Sequence, residues 1–173
     1  MVHHFEPAHY YNTIGSHKPV LHVSDGDTII TSTVDARGMD KTGETVTRRG
    51  NPQTGPFYVE DAQPGDTLAV HLDKLTPNRP TGWTRPVVAS HILDAEYIRT
   101  VAQEIPDTET CCEWEMDVDH KTVTLVNPTD TRLGRMTLPM TPMVGCFGVA
   151  PALEQAISTA TSSNHGGNMD YRG

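Results

Sequence analysis

The sequence predicts a mainly β fold, on three observations: short apolar runs that alternate with period two, dense Gly/Pro/Asp turn punctuation, and a single stretch with helical spacing. The 173 residues include 14 glycines and 13 prolines, most of them in the turns between the short runs. The length suits one domain, 1–173, able to bury roughly 70% of its unfolded surface. Only 36% of the residues are apolar and 6% aromatic, so the core is expected to be thin or shared with a partner.

Taken in order, Lys18–Val23 reads as a short extended piece, and Ser24-Asp25-Gly26-Asp27 as a turn. The β-branched run Thr28–Val34 follows as a strand, with Asp35 at its exit. Arg37–Gly50 and the cluster Asn51-Pro52-Gln53-Thr54-Gly55-Pro56 form a long exposed loop. Phe57–Glu60 is the next strand. A second Gly-Asp-Thr turn at Gln63-Pro64-Gly65-Asp66 leads into the alternating run Thr67–Asp73, with Leu68, Val70 and Leu72 expected on the core face. The similarity of the two turns is read as a favoured hairpin entry and not as an internal repeat.

After a Pro-rich connector, Asp94–Glu104 is the helical candidate, from the spacing of Ile98, Val101 and Ala102. Asp117–Val126 reads as a hairpin turning near Asp119-His120, and Arg132–Met140 as another short strand. Met143–Ala150, apolar and broken by glycines, is expected to be a buried strand where another backbone or a ligand approaches closely. Ala152–Ser163, small and polar, is a short helix or a loop.

Charge narrows the range of partners. A formal charge of −9 with no Lys/Arg cluster argues against nucleic acid, whose binding is driven by basic side chains releasing counterions. Neither a signal-type apolar segment near the N-terminus nor an apolar run long enough to span a bilayer is present, so a soluble, cytoplasmic protein is expected. Three cysteines, two of them adjacent at Cys111 and Cys112, make no disulfide framework and fit a reducing compartment. Cys146 lies in an apolar run and reads as a small core residue. His71 and the trio His3, His4 and His9 read as surface residues, with His91 a reserve ligand.

The segment Asn164-His165-Gly166-Gly167-Asn168-Met169-Asp170 is the most pointed in the chain. Its two glycines allow a tight bend on which an imidazole, a carboxamide and a carboxylate could converge. Two candidate ligands alone favour a flexible polar tail over a metal site.

Four landmarks carry a family resemblance. Gly26-Asp27-Thr28 with Val34-Asp35-Ala36 comes first, then Asn51 to Glu60 with the downstream Pro64-Gly65-Asp66-Thr67-Leu68. The run Pro142 to Pro151 and the segment His165 to Asp170 complete the set. In this order, over about residues 16 to 172, they resemble the acetamidase/formamidase family, most specifically in the form N-x-x-T-G-P-[IF]-x-V-E and in H-G-G-N-M-D. The stretch Thr84–Leu133 matches poorly. The resemblance implies a jelly-roll-like β-sandwich with short helices, truncated at its C-terminal end relative to the family, and a reaction in which formamide or acetamide is hydrolysed to the carboxylic acid and ammonia.

Hydrolysing an unactivated amide calls for a nucleophile and stabilisation of the oxyanion, and a bound divalent metal, zinc for preference, can supply both by lowering the pKa of its water. On that basis Asp35, His165 and Asp170 are the expected ligands, Glu60 the general base and acid, and Asn168 an orienting amide. Asn51, Thr54 and Gly55 would line the substrate. Each has a purely structural alternative: Asp35 as a strand-end cap, Glu60 as a paired strand residue, Asp170 as a bond to its own glycine turn. The expected partners are a small amide and further copies of the chain in a homo-oligomer. The alternative function is an inactive, truncated β-rich remnant that binds a metal or small polar ligand.

Overall fold

A computed structural model describes residues 1–15, 17–85, 93–100, 111–126 and 134–170. The chain, read as a single β domain, divides into two compact units: Met1–Asn78 with Pro142–Gly173, and Arg79–Thr141. The fold is mainly β, with one short helix among the described residues.

The first unit is a set of short ladders. Strands β1 (Val2–Phe5) and β4 (Thr28–Thr31) pair in parallel, as do β3 (Leu21–Val23) and β5 (Phe57–Val59). β2 (Thr13–Ile14) pairs antiparallel with β11 (Ile157–Ser158). β10 (Cys146–Gly148), β13 (Gly166–Asn168) and β12 (Ser162–Ser163) form an antiparallel three-stranded ladder in that spatial order. Ile14 and Val23 are the buried apolar side chains of the described core, and Phe5 meets Phe57 edge to face at 5.4 Å. Thr159 and His165 are the buried polar ones.

The second unit is a four-stranded antiparallel meander, β6 (Thr81–Thr84), β7 (Cys112–Asp117), β8 (Thr122–Leu125) and β9 (Thr137–Pro139), each strand beside its sequence neighbour. β7 alternates half-buried and exposed residues along its length, as a one-faced strand should. The helix α1 (Ala95–Thr100) starts where Asp94 Oδ1 accepts the backbone N–H groups of Glu96 and Tyr97 at 2.8 and 3.2 Å, an N-cap. Residues 101–104 of the helical candidate lie outside the described residues, as does His91.

Several expectations change. The two Gly-Asp-Thr turns are the same turn: the Asp27 and Asp66 carboxylates accept the backbone N–H of Ser24 (3.0 Å) and Gln63 (2.8 Å), with Gly26 and Gly65 at positive φ. The first launches β4. The second launches no strand, and Leu68, Val70 and Leu72 are 47%, 54% and 48% exposed where a core face was expected. Alternation requires a neighbouring ladder to become a strand, and no described segment supplies one. The strand expected through Met143–Ala150 is confined to β10, with Phe147 and Val149 exposed. No helix is long and apolar enough to cross a membrane among the described residues.

Candidate functional site

The site begins with glycines. A Cβ on Gly148 would stand 2.3 Å from the His165 carbonyl oxygen, one on Gly166 would be 2.6 Å from that of Phe147, and one on Gly167 would be 2.1 Å from that of Thr161. Only bare backbone permits β10, β13 and the preceding turn to approach so closely. This is the close approach that the glycine-broken run predicted. It carries His165, at the head of β13, into the interior: the residue is 5% exposed, and neither Nδ1 nor Nε2 meets a hydrogen-bonding group of the described chain.

An orphaned buried imidazole is unusual, because leaving such a group unsatisfied costs about 1–3 kcal/mol. Such a group is met by an ordered water, an ion, a ligand or a proton-transfer role.

Asp170 lies at the other end of the β10–β13 ladder from His165, beside Gly145, so the imidazole and this carboxylate do not converge as the two glycines suggested. Its backbone N–H and that of Met169 both donate to the Gly145 carbonyl, at 2.8 and 3.0 Å. Its Oδ1 lies 2.7 Å from where a Gly145 Cβ would stand, so glycine makes room for this carboxylate. The Asp170 charge also reaches the Cys146 thiol, whose pKa is raised, first by burial and then by that charge, against a lowering hydrogen bond from Gln53. Cys146 is therefore a protonated thiol that donates to the Thr159 carbonyl at 3.2 Å, and not a thiolate nucleophile.

Two carboxamides converge on one turn. Asn168 Nδ2 donates to the Ala160 carbonyl and Asn51 Nδ2 to that of Thr159, both at 3.5 Å. Asn51 holds a positive φ of 57°, tolerated by Asn, and its carbonyl accepts Gln53 Nε2 at 3.0 Å. The Ala36 carbonyl accepts the N–H groups of Gly50 and Asn51, which docks the Asp35-Ala36 element on this loop. Further along, Thr54 Oγ1 donates to the Ser32 carbonyl at 3.1 Å and Gly55 is buried at φ 114°.

The remaining candidates are engaged elsewhere. Asp35 Oδ1 accepts the backbone N–H groups of Arg37 (2.9 Å) and Met39 (3.0 Å), a loop-closing role. Glu60 Oε1 is 2.7 Å from His22 Nδ1, with the Tyr58 ring tilted against His22, and both members of the pair are about half exposed. Among the described residues no three His, Cys, Asp or Glu side chains converge as a metal ion requires, so Asp35, His165 and Asp170 do not form a three-ligand set.

Sequence reasoning missed Thr159, which is fully buried. Its hydroxyl lies 2.8 Å from the Gly50 carbonyl and 3.0 Å from that of Asn12. Nothing in the small, polar run around it signals burial, because its partners are more than a hundred residues away. Gln53 was legible only as a turn residue.

The chain shares its fold with the crystal structure of a recombinant predicted acetamidase/formamidase from the thermophile Thermoanaerobacter tengcongensis. The two superpose with a TM-score of 0.61 at 24% identity, over 99% of this chain and 53% of that one. The resemblance read from the motifs is thus met at the level of fold, and the chain spans about half the length of that structure. No family model and no curated protein matches the chain.

Proposed function

We propose that this chain acts on small linear amides, hydrolysing formamide or acetamide to the carboxylic acid and ammonia, at a site built from the β10–β13 ladder and the Asn51–Gly55 loop. The observation that carries the reading is the buried, unpartnered His165. Water adds to the carbonyl carbon, the oxyanion needs donors, and the nitrogen must be protonated before the C–N bond breaks. His165 is the buried titratable group here with both ring nitrogens unengaged, suited to hold or move that proton. Asn51 and Asn168 each use one amide N–H on the Thr159–Ala160 turn, and the second N–H and the Oδ1 of each suit an amide's oxygen and nitrogen.

A divalent ion such as zinc would supply a water of lowered pKa when bound. Of its expected ligands, His165 has the unpaired state a ligand has, but the Asp35 carboxylate is held by its own loop and no three donors converge among the described residues. Among the described residues this donor set does not fit such an ion. Glu60 would act only from, or after release by, its bond to His22. Retained activity in Glu60→Gln would assign proton transfer to His165. Self-association, the expected homo-oligomer, is supported by the exposed Phe147, Val149, Leu153 and Met169.

The test is ammonia release from formamide and acetamide by the purified chain, with metal content determined on the same sample. Release should fall about 10²–10⁴-fold in His165→Ala. A folded wild-type chain that binds formamide without releasing ammonia would leave the ligand-binding alternative as the better account.

A further inference from the structure

We infer that Thr159 is a positioning residue of this site: its buried backbone and hydroxyl clamp the Asn51 loop and the Cys146 strand to the turn that also holds Asn168. The hydroxyl has one proton. The Asn12 carbonyl already receives the Thr159 N–H at 3.1 Å, so that proton is needed at the Gly50 carbonyl, 2.8 Å away. Gly50 immediately precedes Asn51, and Asn51 returns its own Nδ2 to the Thr159 carbonyl, which closes a ring of contacts across the two segments.

The same carbonyl receives the Cys146 thiol at 3.2 Å. One residue further on, the Ala160 carbonyl receives Asn168 Nδ2, and the Thr161 carbonyl receives the Asn168 N–H at 3.0 Å. Three consecutive carbonyls of one turn therefore set the positions of Asn51, Cys146 and Asn168. The Asn12 side chain braces the arrangement from behind, donating to the Arg49 carbonyl at 2.8 Å. Gly50 itself holds φ 121°, a conformation that side chains rarely adopt, so the loop takes this pose most readily with glycine.

The substrate part of the inference rests on the amide-hydrolysis reading, and the clamp itself rests on geometry alone. Two carboxamides recognise an amide only while their spacing is held, so loosening the clamp weakens binding more than it slows a bound substrate. Thr159→Val keeps the shape and removes the hydroxyl, while Thr159→Ser keeps the hydroxyl.

In steady-state assays with formamide, Thr159→Val should raise KM about tenfold or more with a smaller change in kcat, and Thr159→Ser should restore it. Independently of turnover, iodoacetamide labelling of Cys146, followed by peptide mass spectrometry, should be several-fold faster in Thr159→Val and of wild-type rate in Thr159→Ser. If the valine variant matches wild type in labelling, the clamp is overturned. Should the wild-type chain release no ammonia, the amide reading fails, and labelling still decides the clamp. If Thr159→Val does not fold, Thr159→Cys, with its weak thiol donor, takes its place: faster Cys146 labelling supports the clamp and a wild-type rate overturns it.

Discussion

In the Arg79–Thr141 unit every strand of the ladder lies beside its neighbour in sequence, whereas in the other unit β1 meets β4, β3 meets β5, and β2 meets β11 from the far end of the chain. The first arrangement is built from local closures and alternation. The second must close long loops before any ladder bond repays the lost entropy. It does so with very short strands and a dense set of loop ties: Asp35 on Arg37 and Met39, Ala36 on Gly50 and Asn51, Thr159 on Asn12 and Gly50. Its fully buried side chain is a threonine, while among the described residues no side chain of the meander is buried. The difference teaches that the candidate site stands where backbone is packed on backbone, and not where an apolar core is thickest.

The largest effect expected from that difference is a pair of glycine substitutions. At Gly148 a Cβ would press on the His165 carbonyl at 2.3 Å, the Gly167 nitrogen at 3.1 Å and Ile14 Cδ1 at 3.1 Å, two of them backbone atoms that cannot swing aside. At Gly82, on β6, the nearest atom is Met116 Cε at an ordinary 3.8 Å. Gly148→Ala should destabilise its unit by about 3 kcal/mol or more. Gly82→Ala should be neutral, or stabilising by about 0.5 kcal/mol, because alanine costs less entropy to order in a strand. Hydrogen exchange followed on peptides from residues 1–78 and 142–170, and on those from 111–126, separates the two responses. Equal loss in both variants would remove the distinction drawn between the units.

That contrast also explains what could be read from residues alone. The hairpin at Asp117–Val126 and the helix beginning after Asp94 were legible because alternation, turn residues and helical spacing act over a few positions, whereas the cap that Asp94 supplies was not read. The glycines of Met143–Ala150 were legible as a close approach for the same reason, since a missing Cβ is visible in a sequence, whereas Gly166 and Gly167, read as a tight bend, lie in strand β13. The run Thr67–Asp73 misled, since its alternation specifies two faces and says nothing of what, if anything, lies against them. Asp35 and Glu60 were chosen by residue type at motif positions. Whether a carboxylate is spent on Arg37 and Met39, or on His22, depends on loop conformation that no periodicity encodes. Thr159 was invisible for the opposite reason, as the partners of its hydroxyl lie more than a hundred residues away.

A smaller effect sharpens the electrostatics of the site, with cysteines of the two units as mutual controls. The Cys146 thiol is raised by burial and by the Asp170 charge, whereas Cys111 and Cys112, partly exposed, stand at the start of β7. Labelling proceeds through the thiolate, so Cys146 should react more slowly than the other two at pH 8. Asp170→Asn removes one raising cause and should speed Cys146 labelling, leaving Cys111 and Cys112 unchanged. Gln53→Ala removes the lowering hydrogen bond and should slow it. An unchanged Cys146 rate in Asp170→Asn would mean that this carboxylate does not face the strand as described.

The smallest effect belongs to the meander, at the β7–β8 turn. The Asp117 carboxylate accepts the His120 backbone N–H at 2.9 Å and pairs with its Nδ1 at 2.7 Å, which holds its pKa below the ordinary carboxylate value, the backbone bond being the larger cause. A carboxylate with a depressed folded value favours folding when ionised. Its contribution is complete above the unfolded pKa of about 3.9 and is lost as pH falls from there through the lower folded value. The wild-type chain should therefore be more stable than Asp117→Asn at pH 6, by an amount that shrinks below about pH 4. Both tryptophans, Trp83 and Trp114, lie on β6 and β7, so urea unfolding followed by their fluorescence reads this unit directly. The pair is exposed, so the difference should be small and should not grow above pH 5. A difference that persists undiminished to pH 2 would show that Asp117 acts through its shape and not through its charge.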